Sequence, residues 1–275
     1  MKSILIPVDY SVYASAGIRA GIVLAKKTKA ELYLLNVFNG PADWNKITVE
    51  EQQKHPEIET RMIEAEVKMD NLLKDKMFRG VKVTGVVRPG NIRDEIMHFA
   101  KLYKSDLIIM GAHGKGESRN YFIGSHAQKV LRTAPCPVLS VKSNFKAASV
   151  KRIVFAANFE ESVSKLFSKI KSFVKVTGAS VDLLFVNTPQ NFTESLPMEK
   201  AMKKFIEAFP DVKMKAHIFN AKEVEKGIIQ FAESRKAHLI AKVTHDRTKK
   251  AGYHFGITET LLYNSDIPVL SVMTN

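Results

Sequence analysis

The chain of 275 residues contains a single cysteine and a single tryptophan. One cysteine excludes an internal disulfide. Cys136, set between Pro135 and Pro137, reads as a small apolar residue at the entry to a strand. Long apolar runs are missing too. Nothing approaches the roughly 18 consecutive apolar residues that a membrane-spanning helix requires. The run over residues 4–8 is too short for the apolar core of a signal peptide. These absences give the expectation of a reduced, cytoplasmic protein. Acidic residues are the minority, 28 against 42 basic ones, for a formal charge of +14. Residues 1–146 hold 23 Lys and Arg against 15 Asp and Glu, and residues 147–275 hold 19 against 13, so the excess is +8 and +6. It is spread over both halves, is densest at residues 247–250, and is not interleaved with aromatic residues. That pattern disfavours nucleic acid as partner and fits a basic surface that attracts phosphates in general. An apolar content of 45% excludes a disordered chain.

What is present is an alternation of short apolar runs with amphipathic segments. Residues 4–8, 31–37, 81–87, 107–110 and 137–141 read as strands. Residues 14–27, 56–76, 92–103 and 126–132 read as helices between them. Strands alternating with helices predict a parallel sheet covered on both faces. The pattern then restarts. Residues 152–156 repeat 3–7, with Asn158 in the place of Asp9, and residues 181–186, 212–219 and 238–242 repeat the second, third and fourth strands. Ile267-Pro268-Val269-Leu270-Ser271-Val272 repeats Cys136-Pro137-Val138-Leu139-Ser140-Val141 nearly letter for letter. The expectation is two tandem α/β domains, 1–146 and 147–275, joined near residues 143–148.

Residues 107–141 carry the chemistry. An apolar strand ends in Gly111, a polar loop with Gly114 and Gly116 follows, and the loop closes on Gly124-Ser125 before a helix. Strand, glycine loop and helix N-terminus together suit a phosphate, because glycine lets the backbone approach and the helix end favours an anion. The spacing is neither a P-loop nor a dinucleotide fingerprint. It is Gly-x2-Gly-x9-Gly-Ser, met by Gly111, Gly114, Gly124 and Ser125. With the Ala-Pro-Cys-Pro-Val-Leu strand entry at residues 134–139, it resembles the universal stress protein family in its ATP-binding branch. The resemblance covers the whole chain as a tandem member. It implies flavodoxin-like, adenine-nucleotide α-hydrolase-like domains, each a five-stranded parallel sheet in the order 3-2-1-4-5. It also implies that the two fifth strands lie side by side, burying an otherwise exposed edge.

In a doubly wound sheet the ligand sits beyond the carboxyl ends of the strands, where the winding reverses. For this order that is the crevice between the first and fourth strands. The resemblance implies ATP there, with Mg²⁺ held through the phosphates. Pro7, Val8 and Asp9 match the family's Pro-x-Asp strand end, whose aspartate contacts the nucleoside. Val37 matches the valine whose backbone meets adenine. Met110 and Gly111 match the pair beside the ribose and α-phosphate, and Gly114, Gly124 and Ser125 match the phosphate cradle. His126 stands where the family usually has a small apolar residue, and it offers its backbone N–H. From the residues alone, Asp9 also reads as a helix N-cap and the glycines as turn-formers. The repeat lacks the pattern, since Val243, Asp246 and Ile257 stand at the positions of Gly111, Gly114 and Ser125. Nucleotide is therefore expected in the first domain only. No nucleophile–base pair, catalytic carboxylate pair or metal-ligand cluster appears, so at most slow hydrolysis is expected. The alternatives are a nucleotide-independent protein-interaction module and an enzyme of the wider superfamily. A protein partner and a homodimer are left open.

Overall fold

The computed structural model describes residues 1–41, 44, 47–112, 125–244 and 256–273. Strand β1 (Ser3–Pro7) leads to helix α1 (Val12–Thr28), then β2 (Glu31–Phe38), a single turn α2 (Val49–Gln52) and α3 (Pro56–Leu73). β3 (Val83–Pro89), α4 (Ile92–Leu102), β4 (Leu107–Gly111), α5 (Ser125–Thr133) and β5 (Val138–Val141) complete the first half. The second half runs β6 (Arg152–Ala156), α6 (Glu161–Thr177), β7 (Ser180–Asn187), α7 (Ser195–Glu207), β8 (Met214–Asn220), α8 (Val224–Ser234), β9 (Leu239–Thr244), α9 (Ile257–Asn264) and β10 (Val269–Met273).

The strands form one sheet of ten, in the order β3-β2-β1-β4-β5-β10-β9-β6-β7-β8. Each half has the expected order 3-2-1-4-5 with parallel pairing, and β5 meets β10 antiparallel through Ser140↔Val269, Leu139↔Leu270 and Val138↔Ser271. The near-continuous apolar strands bury both faces. On one face Ile4, Ile6, Leu183 and Phe155 pack under α1, α3, α6 and α7. On the other, Leu5, Ile108, Ile240 and Val154 pack under α4, α5, α8 and α9. Two ties between helices and the sheet seam are polar. Glu259 on α9, 2% exposed, accepts from Arg132 Nε on α5 at 2.6 Å, and Lys142 Nζ donates to the Leu262 carbonyl at 2.7 Å. No helix among the described residues is long and apolar enough to cross a membrane.

The repeat extends to backbone conformation. Tyr10 and Phe159, each two residues before a helix, adopt φ of 63° and 56°. Lys29 and Gly178 follow the first helix of each half at 57° and 68°, and Lys104 and Lys236 follow α4 and α8 at 46° and 51°. The left-handed region is strained for side chains other than glycine. Its recurrence at three matched pairs, with glycine only at Gly178, shows that the fold imposes the conformation on the other five residues.

Candidate functional site at the ends of β1 and β4

β1 lies between β2 and β4, so the direction of winding reverses on its two sides. The crevice beyond the strand ends is therefore at β1 and β4, where the sequence places it. Pro7 ends β1 in pairing with Leu35. Both main-chain groups of Val8 are engaged: its N–H donates to Leu35 O at 2.8 Å, and its carbonyl accepts from Asn36 Nδ2 at 2.6 Å. Val8 thus fixes the strand end, and Asp9, exposed, is the first residue to present a side chain beyond it. Asp9 is not the helix cap. Ser11 caps α1, its Oγ accepting from the Ala14 amide at 3.1 Å, while Asp9 Oδ1 accepts from the Ser11 amide at 3.0 Å. The carboxylate is consequently oriented at the rim by the turn that starts the helix. Tyr10 closes that turn, its hydroxyl donating to Ala65 O of α3 at 3.3 Å, and partial burial raises its pKa.

Val37 is half-buried on β2, opposite Arg88 of β3. Met110 is buried on β4 beside Ser140. Gly111 has a role the sequence does not reveal. A Cβ there would stand 2.5 Å from Tyr13 Cβ and 2.7 Å from the Tyr13 carbonyl oxygen. The first turn of α1 therefore lies directly on the end of β4, and only glycine admits it. Pro7, Val8, Asp9, Met110 and Gly111 are brought to one end of two neighbouring strands, with Val37 on the next strand out. Gly114 and Gly124 lie outside the described residues, as do the side chains of Ser125 and His126. α5 nevertheless begins at Ser125, so Ser125 stands at a helix N-terminus, where the first amides have no partner within the helix.

Sequence reasoning missed Asn36, Ser11 and Tyr13. Asn36 was detectable, as an amide within the apolar run Leu32–Val37. The other two act through the main chain or a cap and leave no such mark.

In the second half, Asn158 takes the place of Asp9 and Val243 that of Gly111, as the matched strand registers require. Lys242 takes the place of Met110. It is 8% exposed within an apolar strand, between Ala156 of β6 and Ser271 of β10.

The comparisons with known proteins agree with this architecture. A universal stress protein of Methanocaldococcus jannaschii is 33% identical over 147 residues, spanning 51% of this chain and 82% of the relative. A second from that organism is 31% identical over 156 residues, spanning 51% and 94%. The crystal structure of a universal stress protein from Archaeoglobus fulgidus superposes on 98% of this chain and 97% of its own with a TM-score of 0.76; at 19% identity this is a likeness of fold. The sequence model of the universal stress protein family matches residues 1–142, from β1 through the Asp9 turn and Gly111 to the end of β5. The chain therefore belongs to the universal stress protein family.

Proposed function

We propose that this protein binds ATP, with Mg²⁺ carried on the phosphates, at the ends of β1 and β4, and that it serves as a nucleotide-responsive stress or signalling module in the cytoplasm. The observation that carries the reading is the convergence of two separate stretches on one crevice. The exposed Asp9 carboxylate follows β1, and the Gly111-x2-Gly114-x9-Gly124-Ser125 motif begins at the end of β4 and finishes at the start of α5. In this reading Asp9 orients the nucleoside, Val37 flanks the base, Met110 and Gly111 lie by the ribose and first phosphate, and the amides at Gly114, Gly124, Ser125 and His126 receive the phosphates. A helix N-terminus supplies partial positive charge and free N–H donors to such an anion.

The chain divides in this reading into domains 1–146 and 147–275, and only the first takes nucleotide. Asn158, Val243 and Ile257 remove the carboxylate, the glycine and the serine from the second. Binding, with at most slow hydrolysis, is the activity proposed. The test is calorimetric titration of Mg-ATP into the wild type, Gly124→Val and Asn158→Ala. One site per chain, lost in Gly124→Val and kept in Asn158→Ala, supports the reading. No heat from wild-type protein freed of carried-over nucleotide refutes it.

A further inference from the structure

The positive charge that the sequence distributes over both halves is gathered by the fold. α1 is the first helix of one half and α6 the first helix of the other. The two touch near the β5–β10 seam, where Lys27 Nζ donates to Val176 O at 3.3 Å. The segment joining the halves lies on the same surface. Its short 3₁₀ turn, Ala147–Ser149, packs on α1, and Arg19 Nη2 donates to Ser143 O at 3.2 Å. Residues 12–29, 143–151 and 161–177 together hold ten Lys and Arg against one acidic residue, Glu161, which is +9 of the chain's +14.

Most of this charge is uncompensated. Lys171 and Lys175 both pair with Asp211. The other eight cations are exposed, and among the described residues none of them is in an ion pair. α3, on the same face of the sheet and joined to the start of α1 through the Tyr10–Ala65 bond, has the opposite sign. It carries five acidic residues against Arg61 and Lys68, a net −3. The basic surface is therefore bounded on that flank by an acidic helix.

We infer that this surface binds the phosphate backbone of a nucleic-acid duplex without reading its sequence. A helix of 17 residues such as α1 or α6 is about 25 Å long. A DNA duplex carries one phosphate charge per about 1.7 Å of its axis, so about 15 phosphates lie along that length. Lysines spread over such a span neutralise phosphates and release their counterions, which supplies sequence-independent affinity. The surface selects this partner by what it lacks. No aromatic side chain is exposed on the three segments, so the bases of a single strand have nothing to stack on. Val12 is the only large apolar side chain exposed there. The surface thus lacks the apolar face that a helix sinks into a bilayer and the apolar core of a protein interface. The α3 carboxylates repel a polyanion from one flank and keep it on the seam. The inference does not depend on ATP binding in the first half.

The test titrates the full chain into fluorescein-labelled DNA and RNA duplexes and follows anisotropy between about 50 and 200 mM salt. Two proteins are compared with the wild type, with near-UV circular dichroism as the check on fold. One is Lys26→Gln/Lys29→Gln/Lys165→Gln/Lys169→Gln. The control, Lys74→Gln/Lys101→Gln/Lys200→Gln/Lys222→Gln, loses the same charge from exposed lysines elsewhere. The expected result is saturable binding, equal for two unrelated sequences, with the tighter of the DNA and RNA arms naming the duplex. The first variant should bind at least tenfold more weakly. Its log–log salt slope should be shallower by about 3–4, near one unit per lost phosphate contact. The control should match the wild type. Four results would each overturn the inference: no saturable binding at the lowest salt, equal weakening in both variants, displacement by polyglutamate as complete as by unlabelled duplex, or tighter binding to phosphatidylserine vesicles. Should a variant fail to fold, protection of Lys26, Lys29, Lys165 and Lys169 from acylation by bound duplex still decides.

Discussion

Replacing Gly111 by alanine tests whether this glycine is a packing residue before it is anything else. An added Cβ would lie 2.5 Å from Tyr13 Cβ and 2.7 Å from the Tyr13 carbonyl oxygen. Comfortable carbon–carbon contacts are about 3.5–4.0 Å, so the carbon pair is about 1 Å too close. The obstructing atoms belong to the main chain and Cβ of Tyr13, so no rotamer change removes them. α1 must move, although its first turn is held by the Ser11 cap and by the Asp9–Ser11 bond. Overpacking of this kind costs about 1–3 kcal/mol, and the immovable neighbours place it at the upper end. Alanine also restricts the unfolded chain, which offsets about 0.4–1 kcal/mol. The net expectation is a loss of about 2 kcal/mol. At about 2–4 °C per kcal/mol for a protein of this size, that is a melting temperature lower by about 4–8 °C. Urea unfolding followed by circular dichroism should show a lower midpoint with unchanged slope. The double variant Gly111→Ala/Tyr13→Ala should be no better, because truncating the tyrosine ring leaves every obstructing atom in place. A Gly111→Ala protein as stable as the wild type, or recovery in the double variant, would refute the packing argument.

Arg132→Met should destabilise by about 3 kcal/mol, the lower end of the range for stranding a buried charge, since Arg132 itself is 37% exposed. Adding Glu259→Leu should restore most of that loss in a double-mutant cycle, and a cycle showing no coupling would sink the idea. The Cys136 thiol, pushed up to about 12 chiefly by burial, should resist a disulfide reagent at pH 8 in the native protein and react on unfolding. Because its folded pKa is raised, its contribution to stability is intact below about pH 8.5 and is lost as pH rises toward 12; a Cys136→Ala protein should show a weaker alkaline decline. The Asp211 carboxyl is held at about 2, first by its hydrogen bond to Lys171 and then by that to Lys175. Its folded pKa is depressed, so its contribution is present above about pH 3.9 and lost as pH falls through about 2. Carboxyl carbon NMR should place its midpoint near 2, and Lys171→Met should move it upward.

Much of this architecture was legible because strand and helix periods are written in apolar residues. The strand order and the meeting of the two fifth strands were expected from the family resemblance, and the two copies from the repeat; that β5 and β10 meet antiparallel is seen only in the structure. Boundaries drifted where a helix or strand end is set by a local cap or turn bond. α1 starts at Val12 rather than residue 14 because Ser11 caps it, and β8 starts two residues later than its apolar pattern suggests. The left-handed turns at Tyr10 and Phe159 were hidden because neither residue advertises that conformation. At the site, the glycine motif was visible, whereas the packing of Gly111 on Tyr13 is a main-chain contact between residues 98 positions apart. The basic excess was readable in each half, but only the fold shows that the two shares meet at α1 and α6.

The seam between β5 and β10 has a consequence for how the protein responds to dilution. Two separate chains joined at such an edge would part as their concentration fell, exposing a strand to any passing partner. Here both edges belong to one polypeptide, and a tether of this kind sets an effective concentration in the millimolar range. The edge is therefore covered at any abundance of the protein, including the low levels at which a two-chain assembly would come apart.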